Sequence, residues 1–172
     1  MNRCKWVNLD NLKYVEYHDN EWGIITKTDD RYLFEMLLLE SFQAGLTWEC
    51  VLNKREGFKK AFDDFDYKKI SKYNEKDIDR LMNDNSIIRN RRKIISIIKN
   101  ANIYIKIIDK YGSFYKYIES NRCIDKDKMA DNISNYLYKE GMRFVGKTII
   151  YSYLESIGIF NNHDKECYRY GG

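Results

Sequence analysis

The sequence predicts an all-α fold, and three features of the chain support this prediction. Apolar side chains recur every three or four residues in several segments, which is the period of a helix with one buried face. Residues that cap helices precede these segments, and glycines follow several of them. No segment shows the alternation of apolar and polar residues that is typical of a strand, and no repeat of fixed length is present.

The chain of 172 residues is long enough for one domain with a substantial core, and we expect a single domain over residues 1–172. Its 30 basic and 26 acidic residues give a formal net charge of +4, which permits a polyanionic partner but does not require one. No basic and apolar leader opens the sequence, and no apolar run approaches the length of a membrane span. We therefore expect a cytoplasmic protein that does not enter a membrane.

The first 23 residues are too aromatic for a disordered tail, because they contain two of the three tryptophans. Tyr14, Tyr17 and His18 follow the i, i+3, i+4 pattern. A helix would present these three side chains on adjoining parts of one face. The segment is therefore expected to be ordered and partly helical.

The central stretch, residues 33–48, has the sequence LFEMLLLESFQAGLTW and predicts an amphipathic helix that ends near a glycine. Thr28 is expected to cap this helix. Glu40 lies on the buried stripe, whereas Glu35 points elsewhere and is expected to be solvated. The apolar residues of the stripe are Leu33, Met36, Leu37 and Ala44.

The position of Glu40 makes it the first candidate functional residue. An ionised carboxylate against an apolar wall costs several kcal/mol unless it finds hydrogen-bond donors or a cation. Buried acids of this kind are frequently part of a site. The alternative is a core glutamate that backbone N–H groups satisfy, and periodicity alone does not decide between the two.

The remaining helices follow from capping residues and apolar periods. The expected segments are residues 47–55 after Thr47, a short helix at about 58–62, residues 75–83 after Asn74, residues 90–111 before Gly112, a short helix from Ser113, residues 131–139 before Gly141, and residues 146–156 before Gly158.

A tight connection at residues 83–93, NDNSIIRNRRK, joins two of these helices, and basic residues begin the second one. Backbone N–H groups at such a turn can meet a phosphate while the basic side chains supply charge. The alternative is a solvated basic helix start. Basic residues at a helix N-terminus oppose the helix dipole, however, and an anionic partner would relieve this. The candidate phosphate-binding residues are Arg89, Arg91, Arg92 and Lys93.

The only two histidines each lie in a segment with one cysteine: Cys4 with His18, and His163 with Cys167. Together these residues form a Cys2His2 set, which is the closed tetrahedral set that zinc prefers. The separation of Cys4 from His18 is long for a zinc finger, so unrelated buried cysteines and surface histidines are the alternative. Four protein ligands leave no position for water, so a metal held here would be structural.

Several motifs, in order and at near-matching spacings, resemble the 3-methyladenine DNA glycosylase I family, bacterial base-excision enzymes of the helix-hairpin-helix glycosylases. The motifs are RCxW at 3–6, YxxYHDNEWG at 14–23, ESFQAGLTW at 40–48, IIR at 87–89, GxxFVGxT at 141–148 and HxxxC at 163–167.

The resemblance implies that the protein hydrolyses the N-glycosidic bond of 3-methyladenine in alkylated double-stranded DNA. The nucleotide would flip into a pocket, and the strand would stay uncut. The hairpin would span about 75–95. One structural Zn²⁺ on the Cys2His2 set would tie residues 1–23 to residues 159–172. We expect the protein to act as a monomer.

The resemblance also assigns roles to residues around the central helix. Methylation at N3 gives adenine a delocalised positive charge, so an aromatic box with one carboxylate suits it. Glu40 and Tyr17 would be the catalytic residues, Trp48 would stack on the flipped base, and Trp6 and Tyr14 would line the pocket. The segment Gly45–Leu46 would enter the gap that the flipped nucleotide leaves in the duplex.

The sequence departs from the family pattern at two places. The usual hairpin glycine is replaced by Ser86, and Asn85 is expected to take the left-handed conformation instead. Ser41-Phe42-Gln43 replaces a Gly-Gln-Gln segment. Contacts with DNA from these two turns are therefore expected to differ.

Two other functions remain open. Some helix-hairpin-helix glycosylases use a catalytic aspartate beyond the hairpin and a lysine that forms a Schiff base and cuts the strand. Asp109 and Lys93 are at distances that fit this pattern, although Asp109 is more simply a solvated residue. A non-catalytic binder of damaged DNA is the second alternative. Strand cleavage without added base would favour the first, and binding without base release the second.

Overall fold

The protein is all-helical in the computed structural model, which describes residues 1–171 and contains no strand in that range. None of the described helices is long and apolar enough to cross a membrane. The helices are α1 (Leu12–Asn20), α2 (Asp30–Gln43), α3 (Trp48–Asn53), α4 (Arg55–Ala61), a 3₁₀ turn (Asp63–Phe65), α5 (Tyr67–Ile70), α6 (Glu75–Met82), α7 (Arg91–Tyr111), α8 (Phe114–Ser120), α9 (Lys126–Glu140) and α10 (Lys147–Ser156).

Helix α2 is the centre of the core and is buried along most of its length, because α3, α7, α8 and α10 pack against it. An amphipathic helix has one apolar face and one face toward water. The prediction of such a helix was therefore wrong, because α2 has no continuous face toward water. Two buried tyrosines donate their hydroxyl groups to carbonyls of α2. Tyr104 of α7 bonds to Asp30 at 2.8 Å, and Tyr153 of α10 bonds to Leu33 at 3.1 Å.

The start of α2 differs from the prediction by one residue. Asp29, not Thr28, caps the helix by accepting a hydrogen bond from the N–H of Tyr32 at 3.0 Å. Glu35 is not solvated as expected. Its carboxylate accepts a hydrogen bond from Arg55 of α4 at 2.6 Å, and both side chains are largely buried.

Most other caps were predicted correctly. Thr47, Asn74 and Ser113 accept hydrogen bonds from the first turns of α3, α6 and α8. Gly141 ends α9 in the left-handed conformation. Helix α9 starts five residues before the expected start, because Asp125 caps it by accepting from the N–H of Lys128 at 3.0 Å.

The connection between α6 and α7 uses a carboxylate in place of a left-handed residue. Asn85 does not have a positive φ, so the expectation for it was wrong. Asp84 accepts hydrogen bonds from both the N–H and the hydroxyl of Ser86, at 2.8 and 2.6 Å. The turn lies against Gly57 of α4, where an added Cβ would come within 2.3 Å of the Ser86 carbonyl oxygen.

Candidate functional site

A cavity of about 200 Å³ opens where the C-terminal ends of α2 and α10 meet α1 and the start of α3. This volume suits a ligand of the size of a single base, because pockets for drug-sized molecules are larger. All five residues predicted to act on the base lie here. The lining residues are Trp6, Tyr14, Tyr17, Trp22, Glu40, Gln43, Trp48, Ser152 and Glu155.

Glu40 lies in the last turns of α2 and is only 2% exposed. Burial raises the pKa of its carboxyl group well above the ordinary value, and the nearby charge of Glu155 raises it further. In the described part of the chain, Glu40 Oε2 has no hydrogen-bond partner. A core glutamate satisfied by backbone donors would not leave an oxygen unpaired, so this carboxylate is available to a ligand.

Aromatic rings form the walls around this carboxylate. The rings of Tyr17 and Trp48 lie 5.3 Å apart, and both side chains are buried. Trp48 Nε1 is a second buried polar atom without a partner in the described residues. Trp6, which is 37% exposed, contacts Tyr14 at 5.2 Å and Trp22 at 4.9 Å between ring centroids. The ring of Trp6 is therefore the most exposed of these walls.

Sequence reasoning did not identify four lining residues: Trp22, Gln43, Ser152 and Glu155. A signal existed for Glu155, which lies in the last turn of α10. An acid at that position opposes the helix dipole and so suggests a use other than helix stability. The other three offered no such signal, because their place in the cavity depends on how the helices pack.

A tight turn joins α2 to α3 next to the cavity. The N–H of Leu46 donates to the carbonyl of Gln43 at 2.6 Å, and Gly45 has a φ of +81°. This geometry is that of a type II turn, which favours glycine at its third position. The side chain of Leu46 is 43% exposed at the tip of the turn. A partly exposed leucine is therefore presented beside the cavity.

Lys93 occupies a different position from the one expected. The residue is only 5% exposed, and its ammonium group donates to the carbonyls of Phe42 and Ala44 at 2.7 and 2.6 Å. The expectation that Lys93 contacts a DNA phosphate was therefore wrong, because its ammonium group is bound to these two carbonyls. Lys93 instead ties the start of α7 to the C-terminal end of α2, where the last carbonyls lack partners within the helix.

The three arginines at the start of α7 differ in what they contact. Arg91 pairs with Glu75 at 2.6 Å and with Asp79 at 3.3 Å, both on α6. These pairs are exposed and contribute little to stability, so a phosphate can compete for the guanidinium. Arg89 and Arg92 are exposed. Asp109, the aspartate considered for the alternative mechanism, is also exposed and does not line the cavity.

The four predicted metal ligands are buried together, and their ligand atoms all lie within 4.8 Å of one another. The Sγ of Cys167 lies 3.5 Å from His18 Nε2 and 3.5 Å from His163 Nδ1, and the Sγ of Cys4 lies 3.4 Å from His163 Nδ1. A tetrahedral zinc with two sulfur and two nitrogen ligands separates each sulfur from each nitrogen by about 3.5 Å. The residues therefore fit a metal ion of this kind.

Neighbouring groups orient both imidazole rings toward the centre of this cluster. His18 Nδ1 bonds to the carboxylate of Asp19 at 2.8 Å, and His163 Nε2 bonds to the carbonyl of Trp22 at 3.1 Å. Each ring thus donates from its outer nitrogen and directs its other nitrogen at the sulfur atoms, as metal-bound histidines do. The guanidinium of Arg3 holds the pKa of Asp19 well below its ordinary value, which keeps that acceptor ionised.

Comparison with known proteins identifies the family. A family model for methyladenine glycosylases matches residues 6–170. DNA-3-methyladenine glycosylase 1 of Escherichia coli (strain K12) is 39% identical over 186 residues, covering 100% of this chain and 98% of the relative.

Solved structures agree with this result. The structure of 3-methyladenine DNA glycosylase I from Staphylococcus aureus has a TM-score of 0.89 at 34% identity and covers 98% of this chain and 96% of that chain. A tyrosine-to-phenylalanine variant of 3-methyladenine DNA glycosylase I in complex with 3-methyladenine has a TM-score of 0.88 at 33% identity, covering 98% and 97%. This chain therefore belongs to the methyladenine glycosylase family and is a DNA glycosylase of the 3-methyladenine DNA glycosylase I type.

Proposed function

We propose that this chain removes 3-methyladenine from alkylated double-stranded DNA by hydrolysing the N-glycosidic bond of a nucleotide flipped into the cavity. The observation that carries the proposal is the unpartnered oxygen of Glu40 in a cavity walled by aromatic rings. A base that carries both a positive charge and an exocyclic amine satisfies this oxygen. Neutral adenine provides the amine but not the charge.

The protein does not need to protonate the leaving base. Methylation at N3 makes the base a cation while it is attached to the sugar, so it leaves as a neutral molecule. The enzyme needs to extrude the nucleotide, to prefer the cation, and to tolerate positive charge on the sugar while water attacks. The pocket of Glu40, Tyr17 and Trp48 supports the second and third tasks, because a carboxylate and ring faces both attract positive charge.

The aromatic residues have distinct roles in this proposal. Trp48 stacks the face of its ring on the flipped base. The Tyr17 hydroxyl stays protonated, because burial raises its pKa well above the ordinary value, and it meets the base edge. Trp6 and Tyr14 close the outer side of the cavity.

We propose a monofunctional reaction, in which the strand is not cut. A strand-cutting glycosylase needs an amine that can reach the sugar. Lys93 is held by two carbonyls and is not among the lining residues of the cavity. The exposed Asp109 lies outside the cavity as well.

We propose that α6, α7 and their connection form the helix-hairpin-helix that grips the DNA backbone. Arg89 and Arg92 provide accessible positive charge, and Arg91 joins them once phosphate replaces its acidic partners. Leu46 enters the duplex at the position of the flipped nucleotide, where an apolar wedge offsets part of the cost of unstacking. We propose that the enzyme acts as a monomer, because one chain supplies both the pocket and the wedge. We also propose that it acts in the cytoplasm, as expected from the sequence.

We propose that the Cys2His2 set holds one structural Zn²⁺. The ligands would be Cys4 and His18 from the N-terminal segment and His163 and Cys167 from the C-terminal segment. When bound, the metal supplies a cross-link between these segments, and four protein ligands leave it no position for water.

The proposed function is tested by incubating the protein with methylated duplex DNA and separating the released bases by chromatography. We expect free 3-methyladenine, with strands that stay intact until the abasic sites are cleaved by added alkali. Strand breaks without alkali would contradict the monofunctional mechanism. Tight binding to the methylated duplex without base release would instead identify a non-catalytic binder.

Replacing Leu46 with alanine should slow base release from methylated duplex DNA about tenfold, because the wedge then no longer fills the gap in the stack. Release from methylated single-stranded DNA should change little, because no gap forms there. Leu12→Ala removes another exposed leucine, on α1, and is the matched control. Equal slowing on single and double strands would contradict the role of a wedge.

Replacing Lys93 with methionine should lower the free energy of unfolding by about 1–3 kcal/mol, because two carbonyls lose a buried donor. The turn that presents Leu46 should also become less fixed, so release from duplex DNA should fall more than release from single strands. Urea unfolding and the two release assays measure these effects. Lys99→Met, an exposed position on α7, is the control. An unchanged stability would contradict the proposed contact of Lys93.

A further inference from the structure

A second carboxylate lines the cavity beside Glu40. Glu155 is partly buried in the last turn of α10, and its charge contributes to raising the pKa of Glu40. The two carboxyl groups therefore interact across the cavity. No lysine or arginine is among the described residues that line it, so no cation of the lining faces the two carboxyl groups.

Residues of the C-terminal segment and of α9 lie near Glu155 and favour the ionised form of its carboxyl group. The amide nitrogen of Asn162 donates to Glu155 Oε1 at 2.7 Å and to the hydroxyl of Tyr151 at 3.0 Å. Lys126 donates to the amide oxygen of Asn162 at 2.5 Å, which fixes the orientation of that amide so that its NH₂ group faces the acid.

The two acids differ in the contacts that favour their ionised forms. Burial raises the pKa of Glu155, but the hydrogen bond from Asn162 and the charge of Lys126 act in the opposite direction. Glu40 has no such support at Oε2. Glu155 therefore has a hydrogen-bond donor and a nearby cation that favour its charge, whereas Glu40 Oε2 has no donor in the described residues.

We propose that Glu155 is a specificity-determining residue, whose carboxylate makes the cavity select a positively charged purine over a neutral one. The inference rests on the proposed function in one respect, which is that the cavity receives the base. Positive charge on N3-methylated adenine is delocalised over the ring. A carboxylate on the α10 side therefore attracts it in addition to Glu40.

The role of Glu155 can be tested with two small probes that differ in charge. The first is 3,9-dimethyladeninium, a permanent cation in which a methyl group replaces the sugar. The second is free 3-methyladenine, used at a mildly alkaline pH at which it is neutral. Quenching of tryptophan fluorescence gives the Kd of each probe, since Trp6, Trp22 and Trp48 line the cavity.

For Glu155→Gln we expect the Kd of the cation to rise roughly five- to tenfold, as removal of one nearby charge at an intermediate dielectric predicts. The Kd of the neutral base should change by less than about twofold. Glu155→Asp keeps the charge and should recover most of the cation affinity. Glu140→Gln removes an exposed carboxylate from the end of α9 and should change neither Kd.

Catalysis provides a second measurement. With methylated duplex DNA, Glu155→Gln should raise KM by the same factor as the Kd of the cation while kcat stays nearly constant, because the charge aids binding of the intact cation. The proposal would be overturned if both probes lost affinity equally, which a structural role would produce, or if neither Kd changed.

The two proposals can fail separately. Loss of cation preference in Glu155→Gln, with no base released by the unaltered chain, would support the role of Glu155 and overturn the proposed function. Release of 3-methyladenine with the same KM in the unaltered chain and in Glu155→Gln would support the proposed function and overturn the role of Glu155.

Discussion

Replacing Glu40 with glutamine is expected to slow the release of 3-methyladenine from methylated duplex DNA by about 100-fold or more, as removal of a charged group at a reacting centre usually does. The amide keeps the size of the side chain but removes the negative charge that a cationic base meets. Chromatography of released bases at saturating enzyme measures this loss. Full activity in the glutamine variant would show that the carboxylate is structural.

The stability of this variant is expected to change in the opposite direction. Because burial raises the pKa of Glu40, the folded chain binds this proton more tightly than the unfolded chain does. The free energy of unfolding therefore falls as the pH rises from the unfolded pKa toward the folded one, and glutamine avoids that loss. The Tm of Glu40→Gln relative to the unaltered chain should therefore increase as the pH rises above the ordinary pKa of a glutamate, about 4.3. A Tm difference that does not increase with pH would contradict a raised pKa for Glu40.

Replacing Cys167 with serine should remove most of the proposed zinc and lower the free energy of unfolding by about 2–5 kcal/mol, because the N- and C-terminal segments would lose the proposed cross-link. Base release should fall as well. The His163 ring packs against the ring of Trp22, and His163 Nε2 bonds to the Trp22 carbonyl. The cluster therefore supports one wall of the cavity.

Metal analysis and thermal unfolding measure this second prediction. The exposed Cys50 and Cys123 lie outside the cluster, so Cys50→Ser is the matched control and should keep both metal content and Tm. A chelator should lower the Tm of the unaltered chain toward that of Cys167→Ser. An unchanged metal content in Cys167→Ser would remove this residue from the proposed ligand set.

The all-α fold was predictable because local signals in this chain agree with its packing. Asn74 and Ser113 stand immediately before segments with a helical period of apolar residues, and each caps its helix in the structure. The four residues of the Cys2His2 set were also predictable as a group. Cysteine and histidine are rare here, so their pairing in two segments carried information that common residues do not.

The errors occur where a distant contact decides between local alternatives. Asp29 and Thr28 are both good caps, and neither residue type nor spacing separates them. Glu35 has the pattern of a surface acid, but Arg55, twenty residues later, packs against it. Lys93 is one basic residue in a run of three, and only the end of α2 distinguishes it from its neighbours.

Glu155 shows the same limit within the site. The acid stands out weakly at the end of α10, but its partner Asn162 and its neighbour Glu40 come from other parts of the chain. Nothing in the local sequence indicates that these groups meet. That two carboxylates line one cavity can be recognised only from the packing of the helix ends.

The central claim is that the cavity binds 3-methyladenine through the free oxygen of Glu40. A crystal structure with the base bound tests it most directly. We predict that the ring lies against Trp48, with the exocyclic amine at about 3 Å from Glu40 Oε2. A base bound elsewhere, or one in the cavity with its amine turned away from Glu40, would contradict the account.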